Sequence, residues 1–582
     1  MSSHHSRLLR PSLLFLLSGS LIGLLFGLSA CHSTPDDHAD IVVRHAHVLT
    51  MDERMPTAQA LAVRGGRIAA VGSDAEIGRW IGEHTRVIEG NGATVLPGLI
   101  DTHIHPVIGA EQLDDCSLGD EVMSLAAMRP TVSECLQRNP NAASTEWLAV
   151  INLNPANFHA TAADLDQLLA DRPFGLFGTD GHTAWINTAG LKKLGLTRAS
   201  VDPDNGRIVR DGKGNPTGHL IDMAVDLVLA QLPKKSLADK VRLTERALQD
   251  MHRVGLTTLL EASAGEDILQ VYRALAEQGK LSAKVSVALT SVADPSANHL
   301  QELAALRDRY RGLPHVQIDT VKVFADGVLE YPTQSGALLA PYEPVAGNGR
   351  SDRGSLYFEP EKMADFVTAL DRDGFNVHVH AIGDWAVRAT LDAFAAARKR
   401  NGEQSRAHFS IAHLELIDPA DWPRFAALNV YASFQLLWAQ PDAYSVDAVQ
   451  PYLGPTRSQW LYPAAGVSKA GGVVVAGSDW NVSTFNPWEA MATGLCRCNA
   501  DEPARPPLLP EQALPLPVML RAYTIDAARM LGRDQELGSL TVGKAADLIM
   551  LNGPLATNAE QLRHTEVLTT MIDGVLVYEH QP

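Results

Sequence analysis

The chain has 582 residues, 46% of them hydrophobic and 20% charged, with a formal net charge of −18. This is ordinary globular composition and excludes a collagen-like, low-complexity or extensively disordered chain. An acidic balance with no Lys/Arg-rich run argues against a nucleic-acid partner. The length exceeds what one core fills, so a large domain with a smaller companion is expected.

In chain order, residues 1–30 read as a targeting segment. Arg7 and Arg10 precede an uncharged, Leu/Phe/Gly-rich run from Pro11 to Gly27. Leu28-Ser29-Ala30-Cys31 follows and resembles the lipobox of bacterial lipoproteins, which implies lipidation of Cys31. The expected location is the cell envelope, facing the periplasm and held to the membrane by lipid alone. His32 after Cys31 points to the outer membrane if the cell is Gram-negative. An uncleaved membrane anchor is the alternative, and no later stretch is apolar and long enough to span a bilayer.

Residues 31–40 read as a linker. From 41 to 96 come short β-rich runs punctuated by Gly65-Gly66 and Gly90-Asn91-Gly92, a small antiparallel module. Residues 533–582 have the same texture, with two strands flanking Asp573-Gly574. One small domain built from both ends is therefore expected. Between them, residues 97–532 alternate β-like runs with amphipathic helices. Strands are predicted at 254–260, 317–324, 376–380, 409–413, 430–434 and 472–476, and helices at 363–371 and 385–398. Alternation of this kind predicts a parallel sheet, and its extent favours a closed (β/α)8 barrel with chemistry at the C-terminal strand ends. About 107–250 fits the barrel count poorly and reads as an insertion after the first strand. Cys116 and Cys135 could pair in an oxidising compartment, whereas Cys496 and Cys498 are spaced poorly for a mutual disulfide.

The chemistry-bearing residues fall at predicted strand ends. His103 and His105 in Leu96-Pro97-Gly98-Leu99-Ile100-Asp101-Thr102-His103-Ile104-His105 share a strand face and form half of a zinc-type site. Lys322 lies in an apolar run, where a buried lysine is costly unless modified or paired. His380, His413 and Asp479 each end a further run. Together they could enclose two hydrolytic metals.

This set resembles the amidohydrolase superfamily, and more narrowly the branch containing N-substituted formamide deformylases. The supporting strings are Pro97 to His105, Asp180-Gly181-His182, Val321 to Gly327, His380-Ala381-Ile382-Gly383-Asp384, Gly477-Ser478-Asp479 and Gly538 to Asp547. The resemblance implies a composite β-sandwich formed by both termini. It also implies one metal on His103, His105 and Asp479 and a second on His380 and His413, with a carboxylated Lys322 bridging them. Zinc is the default ion, with manganese, iron or a single metal as alternatives. His378 competes with His380 and is assigned a structural role. Asp479 is expected to move the proton while a metal-activated hydroxide attacks a small amide or formamide-like substrate. His182, Asp326 and Gln435 are expected to line the pocket, and a homodimer is allowed. Glu261, Ala412, Leu436 and the stretch Val328 to Pro332 depart from the family strings. These departures bear on the substrate more than on the hydrolytic residues. A mononuclear deaminase or ring hydrolase, a lactonase or phosphotriesterase, and a lipid-anchored binding protein on an inactive barrel are the competing readings. Trp385, Trp438 and Trp480 suggest either an aromatic pocket or ordinary core packing.

Overall fold

The computed structural model describes residues 38–138, 145–292, 298–345 and 352–580. The targeting segment and Cys31 lie outside them. Among the described residues no helix is long and apolar enough to cross a membrane.

The centre is an eight-stranded parallel sheet: β1 (Leu99–Ile104), β2 (Leu256–Ala264), β3 (Lys284–Thr290), β4 (Val316–Phe324), β5 (Asn376–Ala381), β6 (Phe409–His413), β7 (Val430–Phe434) and β8 (Val473–Ala476). Neighbours in sequence are neighbours in space. Strands β1 and β8 meet where Asp479 N donates to His103 O and His105 N to Trp480 O, both at 2.7 Å, so the sheet curls into a barrel. The expected strands are present, with β3 added to them.

Period-2 alternation explains why these strands carry both core and chemistry. In β5, Val377, Val379 and Ala381 join the core beneath the surrounding helices, while His378 and His380 project toward the barrel axis. The helices supply the complementary stripe. α1 (Pro360–Arg372) buries Met363, Phe366, Val367 and Leu370 at i, i+3, i+4 and i+7. Each such side chain stabilises the packing by about 1.5–3 kcal/mol.

The two chain ends form a sandwich. One sheet takes its four strands from residues 41–89, and the other joins Thr57–Ala58, His47–Leu49 and Thr94–Pro97 edge to edge with Leu548–Leu551, Val567–Ile572 and Val575–Glu579. Val43, Leu61, Val95, Leu548 and Met571 share the core between them. The N-terminal part is not purely antiparallel, because Ile41–Arg44 pairs in parallel with Arg86–Glu89, and His47–Leu49 with Thr94–Pro97.

The insertion is a five-stranded sheet spanning Leu148–Leu153 to Pro216–Asp222. The helix Leu125–Arg138 packs on this sheet through Met128, Val132 and Cys135. The helix Leu237–Arg253 belongs to the barrel wall, burying Val241, Thr244, Leu248 and Met251 along one face. Cys116 and Cys135 are paired, with Cα atoms 5.8 Å apart. Cys496 and Cys498 are paired too, against expectation. Arg497 between them takes a left-handed φ of 58°, which turns the chain and brings both sulfurs to one side. Its buried guanidinium is held by the carbonyls of Leu508, Tyr462 and Leu461.

Candidate metal centre

At the C-terminal end of the barrel, β1 delivers His103 and His105. Their ligand atoms and that of Asp479 all lie within 4.8 Å of one another. Asp479 Oδ1 is 3.4 Å from His103 Nε2 and 3.1 Å from His105 Nε2. β8 ends at Ala476, and Gly477-Ser478 turns Asp479 inward. A Cβ at Gly477 would lie 2.6 Å from His103 N, so only glycine allows this approach. Asp479 and His413 both adopt left-handed backbone, at φ 54° and 76°. Non-glycine residues hold that conformation only where the surroundings impose it.

Lys322 Nζ is 3.2 Å from His103 Nε2. The rings of His380 and His413 are 4.3 Å apart, and His413 lies 4.7 Å from His103. All six expected residues thus gather at one end of the barrel. Among the described residues, however, only the His103–His105–Asp479 group brings three ligand atoms onto one point. His105 Nδ1 and both nitrogens of His413 are buried without a hydrogen-bond partner. An imidazole lone pair left unsatisfied in a protein interior is costly, and a divalent cation is the partner that imidazole and carboxylate together suit.

His378 lies one layer deeper. Its Nε2 is 2.7 Å from His103 Nδ1, and its own Nδ1 is 2.7 Å from Ser410 Oγ. A proton on His103 Nδ1 and on His378 Nδ1 satisfies both contacts. That leaves the Nε2 lone pair of His103 facing the site, the usual device for orienting a ligand imidazole.

Burial, followed by the charge of Lys322, drives His103 down to about 3. Burial also holds His378, His380 and His413 well below the usual imidazole range. All four are neutral, the ligand form. Burial works against His105 as well, but the neighbouring carboxylates of Asp479 and Glu261 outweigh it and raise it to about 9. Burial brings Lys322 down to about 7, with Asp479 opposing.

Sequence reasoning missed Asp101. It is buried, accepts from His103 N at 3.0 Å and from Ser478 N at 3.1 Å, and so clamps β1 to the segment bearing Asp479. Its position two residues before His103, on the same strand face, was the available signal. Glu261 faces His105 Nδ1 at 3.6 Å and accepts from the Tyr272 hydroxyl.

A cavity of about 1890 Å³ opens between the barrel mouth and the insertion. His182 lines it, with Nδ1 2.8 Å from Asp222 and its ring 5.5 Å from His380. Asp326 and Gln435 do not line it. Asp326 spends both oxygens on the backbone N–H groups of Ala337, Ile382 and Gly383. Gln435 accepts from His413 N. Both lie behind the site and hold its histidine-bearing loops. Trp438, stacked on His413, and Trp480 reach the cavity, whereas Trp385 is covered by Arg353.

A family model described as amidohydrolase family matches residues 86–578. The chain is 28% identical to Protein LONG AFTER FAR-RED 3 of Arabidopsis thaliana, over 93% of this chain and 92% of that one. It is 27% identical to an N-substituted formamide deformylase of Arthrobacter pascens, over 93% and 98%. A solved metal-dependent hydrolase of Pyrococcus horikoshii shares the fold, with a TM-score of 0.66 at 21% identity over 88% of this chain and 97% of that one.

Proposed function

The chain belongs to the amidohydrolase family and is a metal-dependent hydrolase acting on carbon–nitrogen bonds; from that premise we propose that its substrate is a small non-peptide amide of the formamide type. The observation that carries this reading is the convergence of His103, His105 and Asp479 at the mouth of a large cavity. The formamide assignment leans on the relative named for that activity, which matches along nearly its whole length.

His103, His105 and Asp479 would hold one divalent ion, and His380 and His413 a second. Lys322 would serve as a further oxygen ligand once its neutral amine has added carbon dioxide and released a proton to give a carbamate. Burial that brings this lysine to about 7 supplies that amine near neutral pH. Divalent ions held there supply Lewis acidity, activating water and polarising the substrate carbonyl. Asp479 accepts the proton of the attacking water and returns it to the leaving nitrogen. Asp101 and His378 keep His103 and Asp479 in place for that transfer. His182, held by Asp222, binds the substrate from the insertion side.

A single-ion enzyme is the second reading, favoured by the fact that one set alone converges within 4.8 Å among the described residues. Elemental analysis of protein purified without residues 1–30 separates the two. About two transition metals per chain, with amide or formamide turnover lost on chelation and restored by Zn²⁺ or Mn²⁺, supports the binuclear site. One metal per chain supports the second reading, and a folded, metal-free, active protein overturns both. We also propose that Cys31 carries the lipid that tethers the enzyme to the envelope. Labelled palmitate should enter the wild type and not Cys31→Ser, and incorporation into the variant would defeat the assignment.

A further inference from the structure

The lining of the cavity also carries Asp180, Glu330, Glu415 and Asp442. Glu415 is 3% exposed and Glu330 8%. Glu415 Oε2, Glu330 Oε2 and Asp180 Oδ2 are buried with no hydrogen-bond partner. Among the described residues no lysine or arginine forms an ion pair with any of the four. Lys235 and Lys240 of the same cavity are engaged by Asp115, Glu111 and Asp267. His182 is near them, and its Nδ1 is committed to Asp222. Asp180 Oδ1 accepts from His182 N and Thr183, and Asp442 from Ser445 N and Gln440, but the unpartnered oxygens of Glu330 and Glu415 are costly to bury and call for a partner from outside the fold.

We propose that this wall binds a cationic group of the substrate, an alkylammonium or similar organic cation, so that the enzyme acts on amides whose far end is positively charged. The proposal rests on the hydrolase reading above and names its substrate class. An inorganic ion fits the wall less well. The only residues that close three ligand atoms onto one point among those described are His103, His105 and Asp479. The carboxylates are spread along a wall, alongside Tyr462 and Tyr444, as suits an extended organic group rather than a metal cage. Aromatic rings beside carboxylates are also a recognised environment for ammonium ions.

The test uses the full metal-loaded chain. Calorimetry compares pentylammonium, 1-pentanol and pentanoate on the wild type, Glu330→Gln and Glu415→Gln. The ammonium should bind at least tenfold more tightly than the alcohol, pentanoate should bind least, and the advantage should fall toward unity in both variants. Equal affinity for ammonium and alcohol overturns the proposal, as does an advantage that survives both substitutions. Titration with Mg²⁺ or Ca²⁺ alone is the second arm. Displacement of the ammonium by one further ion per chain overturns it in favour of a metal site.

Turnover separates this proposal from the reading beneath it. Mono-N-formyl-1,5-diaminopentane should exceed N-formylpentylamine at least tenfold in kcat/KM. That ratio, read within each variant so that partial unfolding cancels, should approach one in Glu330→Gln and Glu415→Gln. Equal rates on both formamides overturn the cation site and leave the hydrolase standing. Tight ammonium binding without amide hydrolysis overturns the hydrolase substrate and leaves the cation site standing.

Discussion

Two lysines on adjacent regions of the barrel sheet are almost wholly buried, and they have opposite surroundings. Lys284, at the start of β3, lies at the end of the barrel facing the sandwich. Its Nζ is 2.7 Å from Asp547 Oδ2 and 2.7 Å from Asp573 Oδ1. Lys322, near the end of β4 at the opposite mouth, hydrogen-bonds to an imidazole, and the burial that brings it to about 7 is opposed only by Asp479. One charge is compensated within the fold, where it joins barrel to sandwich. The other is left short of partners at the proposed metal site. Incomplete compensation, rather than burial, separates the reacting end from the structural end.

The comparison can be broken most forcefully at the reacting end. Asp479→Asn should lower kcat by about 10²–10⁴-fold, the range for losing a positioned proton carrier, with little change in Tm. Near-normal turnover on any amide that the wild type cleaves would remove Asp479 from proton transfer. At the structural end, Lys284→Met strands Asp547 and Asp573 and should destabilise the fold by about 3–5 kcal/mol, read by denaturant unfolding. Metal content per folded chain should be unchanged, and metal loss would show that the two ends are coupled. His378→Ala should weaken metal affinity by about 10–100-fold, measured by competition with a chelator. Unchanged affinity would make the contact with His103 merely packing.

The smallest effect sharpens the structural end through pH. Burial would raise Asp573, but His315 and Lys284 outweigh it and lower it to about 2. A depressed carboxylate stabilises the fold above its unfolded value of about 3.9, and that stability drains as pH falls toward 2. Asp573→Asn should flatten the Tm profile between about pH 4 and 2, and a profile parallel to wild type would count against the ion pairs.

The gathering of these side chains at one end of the barrel was largely legible because strand periodicity exposes it. His103 and His105 share a face by spacing alone, and His380, His413 and Asp479 each close an apolar run. β3 escaped notice because it opens on Lys284, whose partners Asp547 and Asp573 arrive from the far C-terminus. Asp326 and Gln435 were misjudged as pocket residues because sequence shows that a polar side chain ends a strand, not that backbone amides consume its oxygens. Glu330 was visible only as a departure from a family string. Its place beside Glu415 depends on how the loop after β4 meets the loop after β6.

The sandwich carries a consequence for how the chain is made. Leu96 lies in the middle of a sheet, yet its neighbour on one side is Ile549, from the last tenth of the sequence. The six-stranded sheet therefore cannot close during synthesis until the barrel between its halves has emerged. Until then Thr94–Pro97 presents an open apolar edge, the kind of surface on which nascent chains aggregate. The final strands act as a clasp, and losing them to premature termination or proteolysis should leave a molecule whose metal residues are all present but whose N-terminal sheet has nothing to close against.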